Sequence, residues 1–349
     1  MSTGVSSARR ALVLRRWRIA VRLEWRSVVV CAVLAAAAAA VAVLALMTGS
    51  YQLSPGQVIS ALTGGEAGLV HDIVVEWRLP RVVAALVFGA ALGVSGAVFQ
   101  SMLRNPLADP GIIGFSQGSY TGALIVILVV NGSYWQLVGG ALLGGMGTAL
   151  AVYVLAYRRG VQGFRLIVVG IGVSAMLESL NTWLILKAEL EQAMAAASWG
   201  AGSLNGVSWD QVVIGGACIA VLLLLAAMLS RPMRQMELGD DAAASQGVRV
   251  SYARLCLIVV GVALTATVTA ASGPIAFISL LAPQIARRLA RTAGITLAPA
   301  ALVGALLCLA ADYIAQHIAP TPLPVGIITV TLGGGYLAWL LFTEARRRL

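Results

Sequence analysis

The sequence predicts an all-α, polytopic membrane protein with about ten transmembrane helices, and three observations predict it. Of 349 residues, 59% are hydrophobic and only 11% are charged, whereas a soluble domain needs about a quarter charged to solvate its surface. The apolar residues recur in runs of about 20, the length that crosses a hydrocarbon core as a helix. Arginines flank those runs in an alternation that puts nearly all of them on one side of a membrane.

Ten spans can be drawn, at 28–48, 82–103, 112–130, 137–157, 165–186, 211–230, 252–272, 275–290, 298–316 and 324–343. The third and eighth carry flanking Gly and Pro, which membrane helices tolerate where neighbouring protein satisfies the freed backbone groups. The first, after a 26-residue arginine-rich lead, is longer than the core of a cleaved signal and reads as a retained helix. With the N-terminus in the cytoplasm, 21 of the 24 Lys and Arg residues lie inside. Positive loops resist translocation, so this asymmetry supports the count and the orientation. Only Arg78, Arg81 and Lys187 fall outside. Residues 1–27 are then a basic cytoplasmic N-terminus, 28–343 the ten-helix body, and 344–349 a cytoplasmic C-terminus.

Within the spans, Gly89, Gly93 and Gly96 in the second, and Gly140, Gly144 and Gly147 in the fourth, predict close helix packing. Lipid gives helices no hydrophobic reason to associate, so small residues that let backbones approach carry the packing. Residues 49–80 form a long outer connection, with Ser54-Pro55 opening a short helix over Gln57–Leu62. Residues 231–251 form the longest internal cytoplasmic segment, with Gly239 and Gly247 as breaks between two short helices.

Composition also excludes function classes. Cys31, Cys218, Cys256 and Cys308 sit singly in apolar runs, and His71 and His317 are far apart, so metal-ligand spacing is missing. The net charge of +10 comes from arginines beside apolar helices, not from a basic face with interleaved aromatics, which argues against nucleic acid. A phosphate loop needs G-x-x-x-x-G-K-[ST], and the single lysine, Lys187, lies outside any such motif. ATP and its Mg would therefore belong to a partner. An ion-coupled transporter would want buried carboxylates. Glu178 is the one candidate deep in a span, with Asn181 three residues on and on the same face. That pair reads first as a cavity lining; a secondary transporter centred on Glu178 is the alternative from another class. A membrane enzyme would need paired catalytic groups at one depth, and no pair suggests itself.

The stretch from Arg78 to Leu124, RLPRVVAALVFGAALGVSGAVFQSMLRNPLADPGIIGFSQGSYTGAL, resembles the FecCD family of ABC-importer permeases for ferric siderophores, haem and vitamin B12. Four further blocks follow in family order: WGAGSLNGVSW (Trp199–Trp209), LGDDAAASQGV (Leu238–Val248), SGPIAFISLLAPQIARRL (Ser272–Leu289) and LPVGIITVTLGG (Leu323–Gly334). The resemblance implies a type II importer permease taking up ferric siderophores. It implies a sister permease in a heterodimer, two copies of an ATPase subunit, an extracytoplasmic solute-binding protein and a bacterial plasma membrane. It implies no catalysis and no cofactor on this chain. The siderophore already satisfies its iron, so no iron ligands are expected here. Haem or vitamin B12 is the competing substrate.

Carried over by motif, Arg78 and Arg81 resemble the family's docking arginines, which receive carboxylates of the binding protein; two guanidiniums can hold them in bidentate pairs. Leu238, Gly239, Asp240, Asp241, Ala244 and Gly247, in the segment 237–250, resemble the helices that couple to the ATPase. The acidic pair also suits a helix start through the dipole. Gln162, Gly163 and Phe164 are similar in position to the cytoplasmic gate. Gln100, Asn105, Glu178 and Asn181 are assigned to the translocation path. Three positions depart from the family pattern: Gln284 replaces a histidine, Gln316 an arginine, and Pro322 a glutamate.

Overall fold

A computed structural model describes residues 11–16, 19–65, 68–111, 114–157, 163–292, 294 and 296–348. Apart from a short antiparallel hairpin, β1 (Ala11–Arg16) with β2 (Ile19–Glu24), the regular structure among the described residues is helical. The helices are α1 (Trp25–Met47), α2 (Pro55–Leu62), α3 (Leu69–His71), α4 (Leu79–Leu103), α5 (Phe115–Ile125) and α6 (Tyr134–Ala156). They continue with α7 (Gly163–Lys187), α8 (Leu190–Gly200), α9 (Trp209–Met228), α10 (Ser230–Glu237), α11 (Asp240–Ser245), α12 (Val250–Ser272), α13 (Ile278–Ala290), α14 (Leu297–His317) and α15 (Val325–Arg348).

Among the described residues, seven helical segments are long and apolar enough to cross a membrane, and Phe115–Val130 and Val325–Trp339 are shorter apolar helices. The predicted eighth span, 275–290, is only partly helical. Gly273 and Phe277 both adopt positive φ, +72° and +69°, so the chain breaks before α13. Thirteen residues reach about 20 Å, less than the ~30 Å hydrocarbon thickness, so α13 is a half-length helix. The second span starts earlier than expected: α3, a wide π-helical turn over Asp72–Arg78 and α4 run on from Leu69 to Leu103 without interruption. Trp209 Nε1 donates to the Val75 carbonyl at 2.8 Å, satisfying an acceptor within that wide turn. The connection 49–80 does hold α2, capped as expected by Ser54, with Gln57 returning the bond. The 11-residue helix α8 carried no signal in the apolar pattern.

The centre of the bundle is α4, buried against α14, α12 and α13. Sequence explains how it gets there. A Cβ on Gly89 or Gly93 would collide with the α14 main chain at Gly304 or Ala300, and one on Gly96 with that of Ser279 in α13. Gly140 and Gly144 bring α6 equally close to Gly118 and Gly122 of α5. Gly147 is the exception, with open space at its Cβ position. Ser95 adds a polar tie, donating to the Gly261 carbonyl of α12 at 2.7 Å. By contrast α6, α7 and α9 bury about a fifth of their apolar windows or less, leaving faces suited to lipid or to another subunit.

Candidate functional site

The broken stretch 273–277 organises one wall of a cavity of about 630 Å³. Four separate motif blocks supply its lining: Asp109 from RNPLADP, Gly200 and Ala201 from WGAGS, Pro274 to Phe277 with Ser279 from SGPIAFIS, and Gly326, Ile327, Val330 and Thr331 from LPVGIITVT. Close backbone contacts bring them together. Ser203 N–H donates to the Ser272 carbonyl at 2.7 Å, and Gly326 N–H to the Gly202 carbonyl at 3.0 Å. Gly202 sits at φ +68° against the Pro274 carbonyl, where a side chain would not fit. The Asp109 carboxylate accepts from Ser279 Oγ at 2.8 Å and from Gly111 N–H at 2.5 Å. These bonds fix the end of the RNPLADP loop to the start of α13. Ser116, Gln117, Ser174, Thr265 and Thr331 place polar groups in a lining that is otherwise mostly apolar.

A second cavity of about 270 Å³ shares Ser116, Gln117, Gly200 and Pro274 with the first and extends it to Glu178 and Asn181. Glu178 is exposed there. Asn181 is buried and accepts from Thr121 Oγ1 at 2.7 Å while donating to Gln117, so it ties α7 to α5. Above this region α8 is held by Tyr120, whose hydroxyl donates to the Ala196 carbonyl and whose ring stacks on Trp199.

Two residues assigned to the path lie elsewhere. Gln100 is buried and donates to the Leu280 carbonyl at 2.9 Å. Asn105 closes α4: its N–H reaches the Gln100 carbonyl and its side chain accepts from Leu107 N–H. Both spend their polarity on main-chain groups near a helix end, and neither lines either cavity. Sequence reasoning missed Asp109 and Ser279, although both stand in the quoted blocks. A carboxylate flanked by two prolines and a serine in an apolar half-helix were the available signals.

At the arginine-poor end of the bundle, Arg78 and Arg81 border a small cavity with Asp312, Tyr313 and Gln316. Both guanidiniums are already engaged by acceptors within the chain. Arg78 donates to the carbonyls of Leu46 at 2.7 Å and Tyr51 at 2.5 Å. Arg81 makes a bidentate pair with Asp312, both bonds 2.8 Å, and also donates to Asn205. The Gln316 amide faces the same guanidinium. Asp312 lies 231 positions from Arg81, so local sequence could not reveal the pair. Gln284, the other glutamine departure, is buried and donates to the Pro106 carbonyl at 2.9 Å.

At the arginine-rich end, α10 and α11 meet at Gly239, which has φ +118°. Met233, Met236 and Ala243 face inward and are fully buried, while Leu238, Asp241, Ala244 and Gly247 are exposed. Asp240, partly exposed, accepts from Arg104 at 3.2 Å and Arg254 at 2.7 Å. Of the gate residues, Gln162 lies outside the described residues, Gly163 begins α7, and Phe164 is 80% exposed. Among the described residues, no group of three His, Cys, Asp or Glu side chains is placed to hold a metal ion.

A polytopic helical bundle enclosing a cavity between its motif loops is the architecture of a membrane permease. The chain belongs to the FecCD transport family, which matches residues 23–343. It is 47% identical to the ferric enterobactin transport system permease protein FepG of Escherichia coli K12, over 93% of this chain and 98% of that protein. It is 35% identical to the iron(3+)-hydroxamate import system permease protein FhuG of Bacillus subtilis, over 85% of this chain and 92% of that protein. Its fold is similar to a solved metal-chelate type ABC transporter in an inward-facing conformation, with TM-score 0.78 and 26% identity. That match covers 90% of this chain and 99% of the other.

Proposed function

We propose that this chain is a ten-helix permease subunit of an ATP-driven importer of ferric siderophores, paired with a sister permease in a bacterial plasma membrane. The observation that carries the reading is 47% identity to FepG across nearly the full length of both chains. Ten helices follow when the seven long segments, the two shorter apolar ones and the half-length α13 are counted together. Both termini and the α10–α11 elbow then face the cytoplasm with the arginines, by the positive-inside bias.

In this reading the linked cavities are one wall of the path, and the sister subunit supplies the other. An exposed carboxylate in mid-span is costly against lipid, which supports covering Glu178 with protein or water. The ATPase subunits dock on the exposed face of Leu238, Asp241, Ala244 and Gly247. A leucine 71% exposed on a polar elbow supports a protein partner there. The binding protein docks over the rim of Arg78 and Arg81, where its carboxylates would have to displace acceptors already in place. Gln162, Gly163 and Phe164 remain the gate assignment. ATP and Mg bind the partner ATPase, and the substrate brings its own iron.

The test is ATP hydrolysis and uptake in vesicles holding the two permeases, the ATPase and the binding protein, challenged with ferric siderophores, haem and cobalamin. Stimulation by a ferric catecholate is expected. Stimulation by haem or cobalamin alone would overturn the substrate. Uptake that persists without the ATPase and collapses with the proton gradient would overturn the class in favour of ion coupling through Glu178.

A further inference from the structure

We propose that Asp240 is a positioning residue that fastens the ATPase-coupling elbow to the wall of the substrate cavity. This rests on the coupling assignment of α10 and α11 made above. Of the two adjacent aspartates, Asp240, its side chain 40% exposed, pairs with arginines of neighbouring elements, while Asp241 is exposed. Asp240 accepts from two arginines on different elements. Arg254, 8% exposed, comes from the N-terminal part of α12, and Arg104 follows the last residue of α4. Two residues before Gly239, Glu237 accepts from Ser101 Oγ at 2.6 Å, so the elbow holds the last turn of α4 as well as the residue that follows it.

Arg104 stands in left-handed backbone, φ +51°, where the helix gives way to the RNPLADP loop. That loop is itself pinned to α13. Gln284 donates to the Pro106 carbonyl at 2.9 Å, and Ser279 donates to the Asp109 carboxylate at 2.8 Å. Asp109 and Ser279 line the larger cavity. A displacement of α11 therefore pulls on Arg104 and reaches the cavity wall through a few residues of short, bonded loop. An exposed charge pair would add little stability by itself; the consequence of this one is geometric. Losing it should free the elbow to move without the cavity following.

The test uses the full chain in lipid nanodiscs, alone and assembled with its ATPase and binding protein. In the permease alone, hydrogen exchange is followed over residues 104–111. Asp240→Asn should raise exchange there at least fivefold, the lower range of coupling between linked sites. Asp240→Glu, which keeps the carboxylate, should restore most of the protection. Gln235→Ala removes an exposed hydrogen bond to Gln246 in the same elbow and should leave exchange at 104–111 unchanged. In the assembled transporter, Asp240→Asn should still capture the ATPase but lower substrate imported per ATP at least fivefold. Wild-type exchange at 104–111 in Asp240→Asn, or an equal rise in Gln235→Ala, would overturn the proposal. An unchanged import-to-ATP ratio would also overturn it. Failure of the coupling assignment looks different: Leu238→Asp would then capture the ATPase as wild type does, whatever the exchange in the isolated permease shows.

Discussion

Removing the carboxylate of Asp312 should destabilise the bundle more than a rim charge ordinarily would. Its side chain is 4% exposed and that of Arg81 14%, with both Arg81–Asp312 bonds at 2.8 Å. Breaking such a pair leaves a buried charge, which costs about 3–5 kcal/mol. Asn205 and Gln316 remain as neutral acceptors for Arg81, so Asp312→Ala should fall at the low end, about 3 kcal/mol. Arg81→Ala strands Asp312 instead and should cost a similar ~3 kcal/mol. The double variant leaves no unpaired charge. It should therefore cost far less than the two singles together, with a coupling energy of about 2–3 kcal/mol. Graded SDS unfolding in mixed micelles, followed by tryptophan fluorescence and circular dichroism, measures the cycle. Additive losses, or singles below about 1 kcal/mol as for an exposed pair, would refute the buried-pair reasoning. The same variants separate structure from docking: if Arg81 serves mainly a partner, Arg81→Ala weakens binding-protein capture while leaving unfolding unchanged.

Gly96→Val should prevent correct assembly of α4 on α13, because the Ser279 main chain occupies the space its Cβ needs. Overpacking alone costs about 1–3 kcal/mol, and rigid backbone cannot relax, so detergent gel filtration should show little monodisperse protein. Gly147→Ala meets nothing within 4 Å and should elute normally; equal loss in both would refute the packing argument. Asp109→Ala removes the acceptor of Ser279 Oγ and Gly111 N–H, bonds to a charged group worth about 1.5–3 kcal/mol each. Uptake should fall with the permease still folded, and wild-type uptake would deny the loop its role in shaping the cavity. Leu238→Asp should weaken ATPase capture about tenfold or more, since burying a leucine contributes about 1.5–3 kcal/mol. Co-purification at wild-type stoichiometry would count against that face.

The sequence alone determined the membrane class, the family and the helix-rich body, because these rest on composition and on patterns local to each segment. Apolar runs of membrane length need no tertiary context, and Ser54-Pro55 announced the start of α2 locally. Gly239 announced the elbow between α10 and α11 in the same way, and the glycines of α4 announced close packing, though not against which helix. Tertiary structure decided whatever depends on partners far along the chain. Arg81 reads as a free outer arginine until Asp312 of α14 is brought beside it. Gln100 reads as a polar group awaiting substrate until the start of α13 presents the Leu280 carbonyl. The half-length of α13 was hidden because its apolar run continues through Ile275 and Phe277, while the break lies in two positive φ angles. The lack of a phosphate-loop motif around the single lysine is a local property of the sequence. How the α10–α11 elbow is fastened to the end of α4 and to α12 is not, because it depends on Asp240, Arg104 and Arg254 meeting in space.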